Sequence, residues 1–309
     1  MNAKNFPSLL SPGQRRVAES LQPILQLATC GIRSSLPIKP RTNSLIVGQS
    51  GSGKSFLVSR LAANGGNGGI PIWHENISNW IVLGSRNTNS TLTSLVRWIF
   101  ENKRGVIFLD ELDKVTSPHE YSNAVRNEAM SLLDYRVPDG AIPDADSNEH
   151  DELACQIDPS ARKALIKFDV EQKLQNDFLI VGAGAWQTCW MEGGNSIGFR
   201  SENPRIESIG RRSLLKSIAP EILQRFREVL FLEPMTRQDY LDVTLSQVEL
   251  LPQKHRLRFA ELAVDAIPTA VEHGLGMRMI EEAYTKLCVE VVRDCCGDEN
   301  VFRDLLVGR

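Results

Sequence analysis

The 309-residue sequence lacks an apolar run of about 18 residues, the length that a membrane-crossing helix requires. Its N-terminus also lacks the charged-then-apolar pattern of a secretory signal. The six cysteines and five histidines are scattered, and no two cysteines form a C-x-x-C pair, so a zinc site is not expected. These absences predict a cytoplasmic protein with reduced thiols and no membrane partner.

An excess of charge of either sign is also missing. The formal net charge is −3, with 24% charged and 42% hydrophobic residues, which is an ordinary globular profile. Nucleic acid as a partner is therefore only weakly supported, because no overall basic field would attract it. The length is sufficient for one large α/β domain and a smaller one.

The run Gly48-Gln49-Ser50-Gly51-Ser52-Gly53-Lys54-Ser55 fits G-x-x-x-x-G-K-[ST], the Walker A phosphate loop. A buried strand is predicted before it over 44–47 and a helix after it over 54–63. Glycines let the backbone N–H groups turn toward phosphate oxygens, and the helix N-terminus adds partial positive charge. Lys54 is predicted to reach the β- and γ-phosphates of ATP and Ser55 to bind Mg²⁺. The alternative is a chance Gly/Ser-rich turn, which leaves the flanking strand and helix unexplained.

A second motif, Gly105-Val106-Ile107-Phe108-Leu109-Asp110-Glu111, is an apolar strand that ends in two acids, the Walker B pattern. Asp110 is predicted to hold Mg²⁺ through water, and Glu111 to act as the base that polarises an attacking water. The alternative is an acidic turn after a core strand.

Five apolar segments alternate with helical patterns, which predicts an α/β fold: a P-loop NTPase with a doubly wound, parallel five-stranded sheet. Pro71 marks the second strand as an edge or as a strand that begins there. Residues 1–235 are predicted to form the nucleotide-binding domain, and residues 236–309 a small all-helical lid.

Inside the predicted lid, Thr236 and Asp239 form a capping-box pattern. Leu241, Leu245 and Val248 are expected to face the interior from its first helix. The second helix is expected to end at Pro268. The third is expected to bury the following residues: Ile280, Tyr284, Leu287, Cys288 and Val291.

Together the two motifs and the helical lid resemble the AAA+ ATPases over about residues 10–295, and within them the ClpX/HslU branch of protein unfoldases. The segments that carry this resemblance are Val106–Lys114, Phe178–Trp186, Pro220–Phe226 and Gly276-Met277-Arg278. The resemblance implies that Arg225 is an arginine finger for a neighbouring subunit and that Arg278 is a lid residue at the same phosphates. It also implies a homo-oligomeric ring or spiral, hexameric in that family. The alternatives are a surface salt bridge for Arg225 and an exposed helix-terminal charge for Arg278.

The sequence departs from that branch in several places. The zinc-binding N-terminal domain of ClpX has no counterpart. In the pore-loop position, Val82-Leu83-Gly84 lacks the gripping aromatic, and Trp80 is either that aromatic or a core residue. Gly182-Ala183-Gly184 occupies the usual place of a polar sensor residue, which leaves Thr188 as a distant candidate. Ser196-Ile197-Gly198-Phe199 resembles a peptidase-docking loop.

Three functions fit these patterns. The first is a ring-forming ATPase that unfolds or remodels a protein partner, as a chaperone does. The second is a nucleic-acid-associated ATPase, and the third is a regulatory ATPase that acts as a switch for a separate effector. An acidic segment over 138–152 is predicted to be a solvated loop or a partner-binding segment. An Arg-rich run over 196–216 is predicted to be a subunit contact or a loop.

Overall fold

The computed structural model describes residues 10–65, 69–85, 89–116, 120–143, 158–186, 215–216 and 218–294. The chain divides into two compact units. The first consists of Met1–Glu19, Gly48–Arg60 and Leu232–Arg309, and the second of Ser20–Val47 and Leu61–Phe231.

The sheet has five parallel strands, which confirms the predicted fold class. In chain order they are β1 (Ser44–Gly48), β2 (Ile72–Asn76), β3 (Gly105–Asp110), β4 (Phe178–Gly184) and β5 (Glu228–Leu232). Their spatial order is β2-β3-β4-β1-β5. The three central strands are almost entirely buried, whereas β2 and β5 are half-buried edges. The expectation from Pro71 is confirmed, because β2 begins just after it and lies at an edge.

The helices of the described residues are assigned as follows: α1 (Pro12–Thr29), α2 (Lys54–Ala63), α3 (Thr91–Glu101), α4 (Glu120–Leu133), α5 (Pro159–Asp177), α6 (Pro220–Leu223), α7 (Arg237–Val248), α8 (Gln253–His273) and α9 (Arg278–Asp294). Short 3₁₀ turns cover Arg33–Ser35, Ile77–Asn79, Leu112–Thr116 and Asp139–Ala141. None of the helices in the described ranges is both long and apolar enough to cross a membrane.

The core of the second unit lies on the central strands. Ile107, Leu109, Phe178 and Ile180 pack there with buried side chains of α3, α4 and α5, and all four are essentially inaccessible to solvent. The near-continuous apolar sequences of these strands are explained by burial on both faces of the sheet.

The helical part of the first unit, α7 to α9, has a core of its own that includes Tyr240, Phe259 and Ile280. The Thr236–Asp239 capping box is present in full, with each side chain accepting from the other residue's backbone. Three expectations about these helices are wrong. Leu245 is 63% exposed, because α7 turns Tyr240, Val243 and Thr244 inward instead.

The second of these concerns Pro268, which does not end α8. The helix continues to His273 and stops at Gly274, which adopts a left-handed φ of 63°. Burial of Ile267 and Ala270 offsets the hydrogen bond that a proline removes. On α9, Tyr284 is 40% exposed, so it does not join the buried face as expected.

Candidate nucleotide site

The phosphate loop connects β1 to α2 in the first unit, as the sequence predicts. Gly51 and Gly53 have φ values of 81° and 83°, which side-chain-bearing residues rarely adopt. The Ser52 N–H donates to the Gln49 carbonyl at 3.2 Å, and the Leu57 N–H donates to the Gly53 carbonyl at 2.9 Å as the helix begins. The loop is therefore a tight, glycine-dependent turn at a helix N-terminus.

Lys54 lies folded over this loop and is only 8% exposed. Its Nζ donates to the Gly48 carbonyl at 2.7 Å and to the Gln49 carbonyl at 3.0 Å. Ser52 is 7% exposed, and its Oγ has no hydrogen-bond partner among the described residues. A buried hydroxyl without a partner is costly, so this loop offers a polar group that a bound anion would satisfy.

The segment before α9 approaches the loop closely in the same unit. The Met277 N–H donates to the Gly51 carbonyl at 2.9 Å. An added Cβ at Gly276 would overlap that carbonyl. The exposed Arg278 follows, with its Cδ 3.8 Å from the point that a Cβ on Gly51 would occupy. Arg278, predicted from the sequence, is thus beside the phosphate loop.

Tyr240 holds this lid segment in place. Its hydroxyl accepts from the Gly276 N–H at 2.8 Å and donates to the Ala270 carbonyl at 3.3 Å. Burial raises the pKa of the Tyr240 hydroxyl, so it stays a neutral donor and acceptor at physiological pH. No sequence motif points to this residue, because only the packing of α7 against α8 brings it to the lid segment.

In the second unit, Asp110 ends β3, and Glu111 follows with a left-handed φ of 57°. The Glu111 N–H donates to Asp110 Oδ1 at 2.9 Å. Two further contacts come from the neighbouring strand β2 and from the turn after it. Ser78 Oγ donates to Glu111 Oε2 at 2.5 Å, and His74 Nε2 lies 3.6 Å from Asp110 Oδ2.

Sequence reasoning missed both His74 and Ser78. Their positions follow from the register of β2 on β3, in which Asn76 is paired with Asp110. A single sequence carries no signal for that register, because the half-buried edge strand has no strict alternation to fix it.

The glycines at the end of β4 lie against aromatic side chains. A Cβ at Gly182 would lie 2.8 Å from the Phe226 ring, and one at Gly184 would overlap the Trp186 ring. These glycines therefore make room for aromatic side chains. Asp113, missed by sequence reasoning, accepts from the Ala185 N–H at 3.2 Å and fixes the chain just after β4.

Arg225 follows α6 and is engaged within its own chain. Its Nε and Nη2 donate to Asp134 Oδ2 at 2.9 and 2.8 Å, and its Nη1 donates to the Glu221 carbonyl. The side chain is 24% exposed. This is the salt bridge that the sequence allowed as the alternative to a finger, and the role between subunits stays a prediction.

Trp80 is a core residue. It is fully buried, and its Nε1 donates to Glu128 Oε2 at 2.8 Å. The other oxygen of Glu128 accepts from the Leu83 N–H at 2.8 Å. The possibility that Trp80 grips a substrate is therefore wrong, because its ring is inaccessible to solvent.

Several predicted features lie outside the described residues. They are Thr188, the Ser196–Phe199 segment, most of the Arg-rich run and the acidic residues from Asp144 onward.

The segment that contains the phosphate loop and the acidic pair matches a known protein family. Residues 44–140 match the model of the ATPase family associated with various cellular activities (AAA). The match includes the phosphate loop, β2, β3 and the acidic pair Asp110–Glu111. The assignment to the ClpX/HslU branch stays a prediction.

A solved structure supports the AAA fold beyond that segment. The chain is similar to Hsp104 in a closed-state cryo-EM reconstruction with ATPγS and FITC casein, with a TM-score of 0.55 and 13% sequence identity. The similarity covers 94% of this chain but 46% of the Hsp104 chain, so this chain spans less than half of that length. Likeness at this identity shows the fold.

AAA ATPases bind ATP and use Mg²⁺. Residues within the matched segment have side chains and backbone of the kind that bind both groups. Gly51 and Gly53 form a cradle, Ser52 offers an orphaned hydroxyl, and Lys54 offers an ammonium. The hydroxyl and carboxylate oxygens of Ser55 and Asp110 are the donor type that Mg²⁺ prefers.

Proposed function

We propose that this chain is a Mg²⁺-dependent ATP hydrolase. The phosphate loop carries the proposal, because its left-handed glycines, buried Lys54 and unsatisfied Ser52 hydroxyl form an anion cradle at a helix N-terminus. In the same AAA match, this cradle is followed by a strand that ends in Asp110 and Glu111. Together they supply the hydrogen-bond donors and the carboxylates that binding and hydrolysis of a nucleoside triphosphate require. The described β1 and β3 end at the same edge of the parallel sheet, with β4 between them.

The proposed roles follow from chemistry. The phosphate-binding residues are Gly48, Gln49, Ser50, Gly51, Ser52, Gly53, Lys54 and Ser55. Ser55 and Asp110 would hold Mg²⁺, and Glu111 would take the proton of the attacking water. Bound ATP with Mg²⁺ would supply the transferred phosphoryl group and the cation that offsets its charge. Arg278, exposed beside Gly51, would add positive charge from the lid.

We further propose that the chain acts as a homo-oligomeric ring that remodels a protein partner. The AAA match and the likeness to an Hsp104 chain imaged with casein support this. Arg225 would serve a neighbouring subunit, and its pairing with Asp134 means that it must exchange one anionic partner for another. ATP should then shift the protein to a larger species in size-exclusion chromatography with light scattering.

A mixing experiment tests the role of Arg225 between subunits. Arg225→Ala and Lys54→Ala proteins, each impaired alone, should regain part of the turnover when mixed, because a ring can then contain intact composite sites. Asp134→Asn is the matched control, since it removes the intrachain partner and leaves the guanidinium. Full turnover by a strictly monomeric protein would contradict the ring.

A regulatory switch remains the alternative, and one observation favours it. Trp80 is buried and hydrogen-bonded to Glu128, so the described residues of the segment after β2 have only three partly exposed apolar side chains, those of Ile81, Val82 and Leu83. Casein and single-stranded DNA separate the three functions. Stimulation of ATP turnover by casein supports remodelling, stimulation by DNA supports the nucleic-acid function, and indifference to both supports the switch.

Leu83 allows a sharper test of remodelling. Leu83→Ala should leave ATP turnover unchanged and slow the unfolding of a tagged substrate if this segment contacts a polypeptide. Unchanged unfolding would remove the segment from the substrate path.

A further inference from the structure

The start of α1 contains a reciprocal capping box that involves Ser11 and Gln14. The Gln14 N–H donates to Ser11 Oγ at 3.2 Å, and Gln14 Oε1 accepts from the Ser11 N–H at 3.0 Å. Both residues are buried, with exposures of 4% and 1%. The box satisfies two donors at the beginning of the helix and fixes the Gln14 side chain in one orientation.

The same side chain makes a second contact that no capping box requires. Gln14 Nε2 donates to the Ser52 carbonyl at 2.9 Å, inside the phosphate loop. An added Cβ on Gly53 would overlap this amide, so the loop and the amide are in direct contact.

The hydrogen-bond network determines which end of the amide is which. The Ser11 N–H needs an acceptor and the Ser52 carbonyl needs a donor, so the amide oxygen must face Ser11 and the amide nitrogen must face Ser52. A glutamate would serve the capping box equally well and would interact better with the helix N-terminus. The need for a donor to Ser52 explains why the residue is glutamine.

We propose that Gln14 is a positioning residue for the phosphate loop. In a planar trans peptide the C=O and the following N–H point in opposite directions. By holding the Ser52 carbonyl on its own side, Gln14 keeps the Gly53 N–H directed away from it. Without that contact, the peptide next to Gly53 can flip at low cost, because glycine accepts both signs of φ.

The Met277 N–H holds the adjacent Gly51 carbonyl in the same way. Two successive peptides of the loop are thus restrained through their oxygens, one from α1 and one from the lid segment. Loss of one restraint should weaken phosphate binding without abolishing it. This inference rests on the proposed ATP function.

The test replaces the Gln14 amide nitrogen by an oxygen. Gln14→Glu keeps the size and the capping box but places a carboxylate against the Ser52 carbonyl. At pH 8 we expect the affinity for ADP and for a fluorescent ATP analogue to fall by about tenfold relative to wild type, the effect of losing one buried hydrogen bond. Turnover at saturating ATP should change little, so the loss appears in KM.

Acid pH should rescue this variant. Burial at this position should raise the pKa of the introduced carboxyl, and the protonated form regains a donor, so the affinity ratio to wild type should return toward one between pH 8 and about pH 5.5. Gln22→Glu is the matched control, because Gln22 is exposed on the same helix. The affinity of Gln22→Glu relative to wild type should stay near one at both pH values.

A second variant, Gln14→Met, removes the donor without adding charge and should bind more weakly at both pH values. Equal affinity of wild type and both Gln14 variants would overturn the positioning role. So would a loss in Gln14→Glu that is identical at pH 8 and pH 5.5, which would indicate general damage. If wild type itself binds neither nucleotide, the ATP function has failed instead.

Discussion

The phosphate loop and the acidic end of β3 are held by different kinds of contact. Main-chain carbonyls of Gly51 and Ser52 accept from Met277 and Gln14, so the shape of the loop is fixed whichever way its side chains turn. At the end of β3, the contacts are made by the carboxylates themselves, with His74 near Asp110 and Ser78 bonded to Glu111. The loop is therefore preformed, whereas Asp110 and Glu111 would have to exchange partners before they could take the roles proposed for them.

The largest expected effect comes from the loop. Lys54→Ala removes the ammonium that lies over Gly48 and Gln49, and we expect nucleotide affinity to fall by roughly 100-fold or more, because a charge-assisted contact to phosphate is lost. Calorimetry with ADP checks this. Lys286→Ala, an exposed lysine of α9, is the control. Wild-type hydrolysis by Lys54→Ala would refute the assignment of the loop.

Glu111→Gln should distinguish the role of the acidic end of β3 from that of the phosphate loop. The amide cannot act as a base, so turnover should fall by about 10²- to 10⁴-fold while nucleotide affinity stays within a fewfold of wild type. The measurement pairs steady-state turnover with calorimetry. Glu101→Gln, at the exposed end of α3, should change neither. Weakened binding with unaltered turnover would reverse the roles of the two regions.

Ser78→Ala tests whether the acid is restrained. Its hydroxyl donates to Glu111 Oε2 at 2.5 Å, so this carboxylate oxygen must give up one hydrogen bond before it can accept another from an attacking water. We expect basal turnover to rise, by roughly tenfold at most, with nucleotide affinity unchanged. Ser78→Thr keeps the hydroxyl and should behave as wild type. A fall in turnover would mean that the contact orients Glu111 productively.

The smallest effect concerns Glu75, on β2 next to His74. Burial raises the pKa of Glu75, so its ionised form destabilises the fold above its unfolded pKa. Glu75→Gln should raise the free energy of unfolding at pH 8 by less than about 1 kcal/mol, allowing for solvent screening. The gain should shrink as pH falls and the wild-type carboxyl becomes protonated. Thermal unfolding at several pH values checks this, and a gain that is constant with pH would contradict it.

The parts that were predictable from sequence are those encoded by local spacing. The phosphate loop between a strand and a helix, the apolar strands and the Thr236 capping box each follow from neighbouring residues. Contacts that depend on register or packing were not predictable. Ser78 meets Glu111 only because of how β2 pairs with β3, and Arg225 meets Asp134 only because their elements pack together.

Pro268 is a position at which a local sequence rule gives the wrong prediction. A proline inside a helical pattern predicts a stop, yet α8 continues for another five residues to His273. Ile267 and Ala270 are 2% and 0% exposed, so tertiary burial outweighs the missing hydrogen bond.

Gly276 and Gly51 meet backbone to backbone, and this restricts what mutation can do at either position. Each has a left-handed φ, and a side chain on either would overlap the segment opposite. Gly84 also has a left-handed φ, but a Cβ there would meet nothing within 4 Å. In a saturation library selected for function, asparagine should be recovered at 84, and no replacement at 51 or 276. A homologue that carried a side chain at one of these two sites would need a differently shaped main chain at the other.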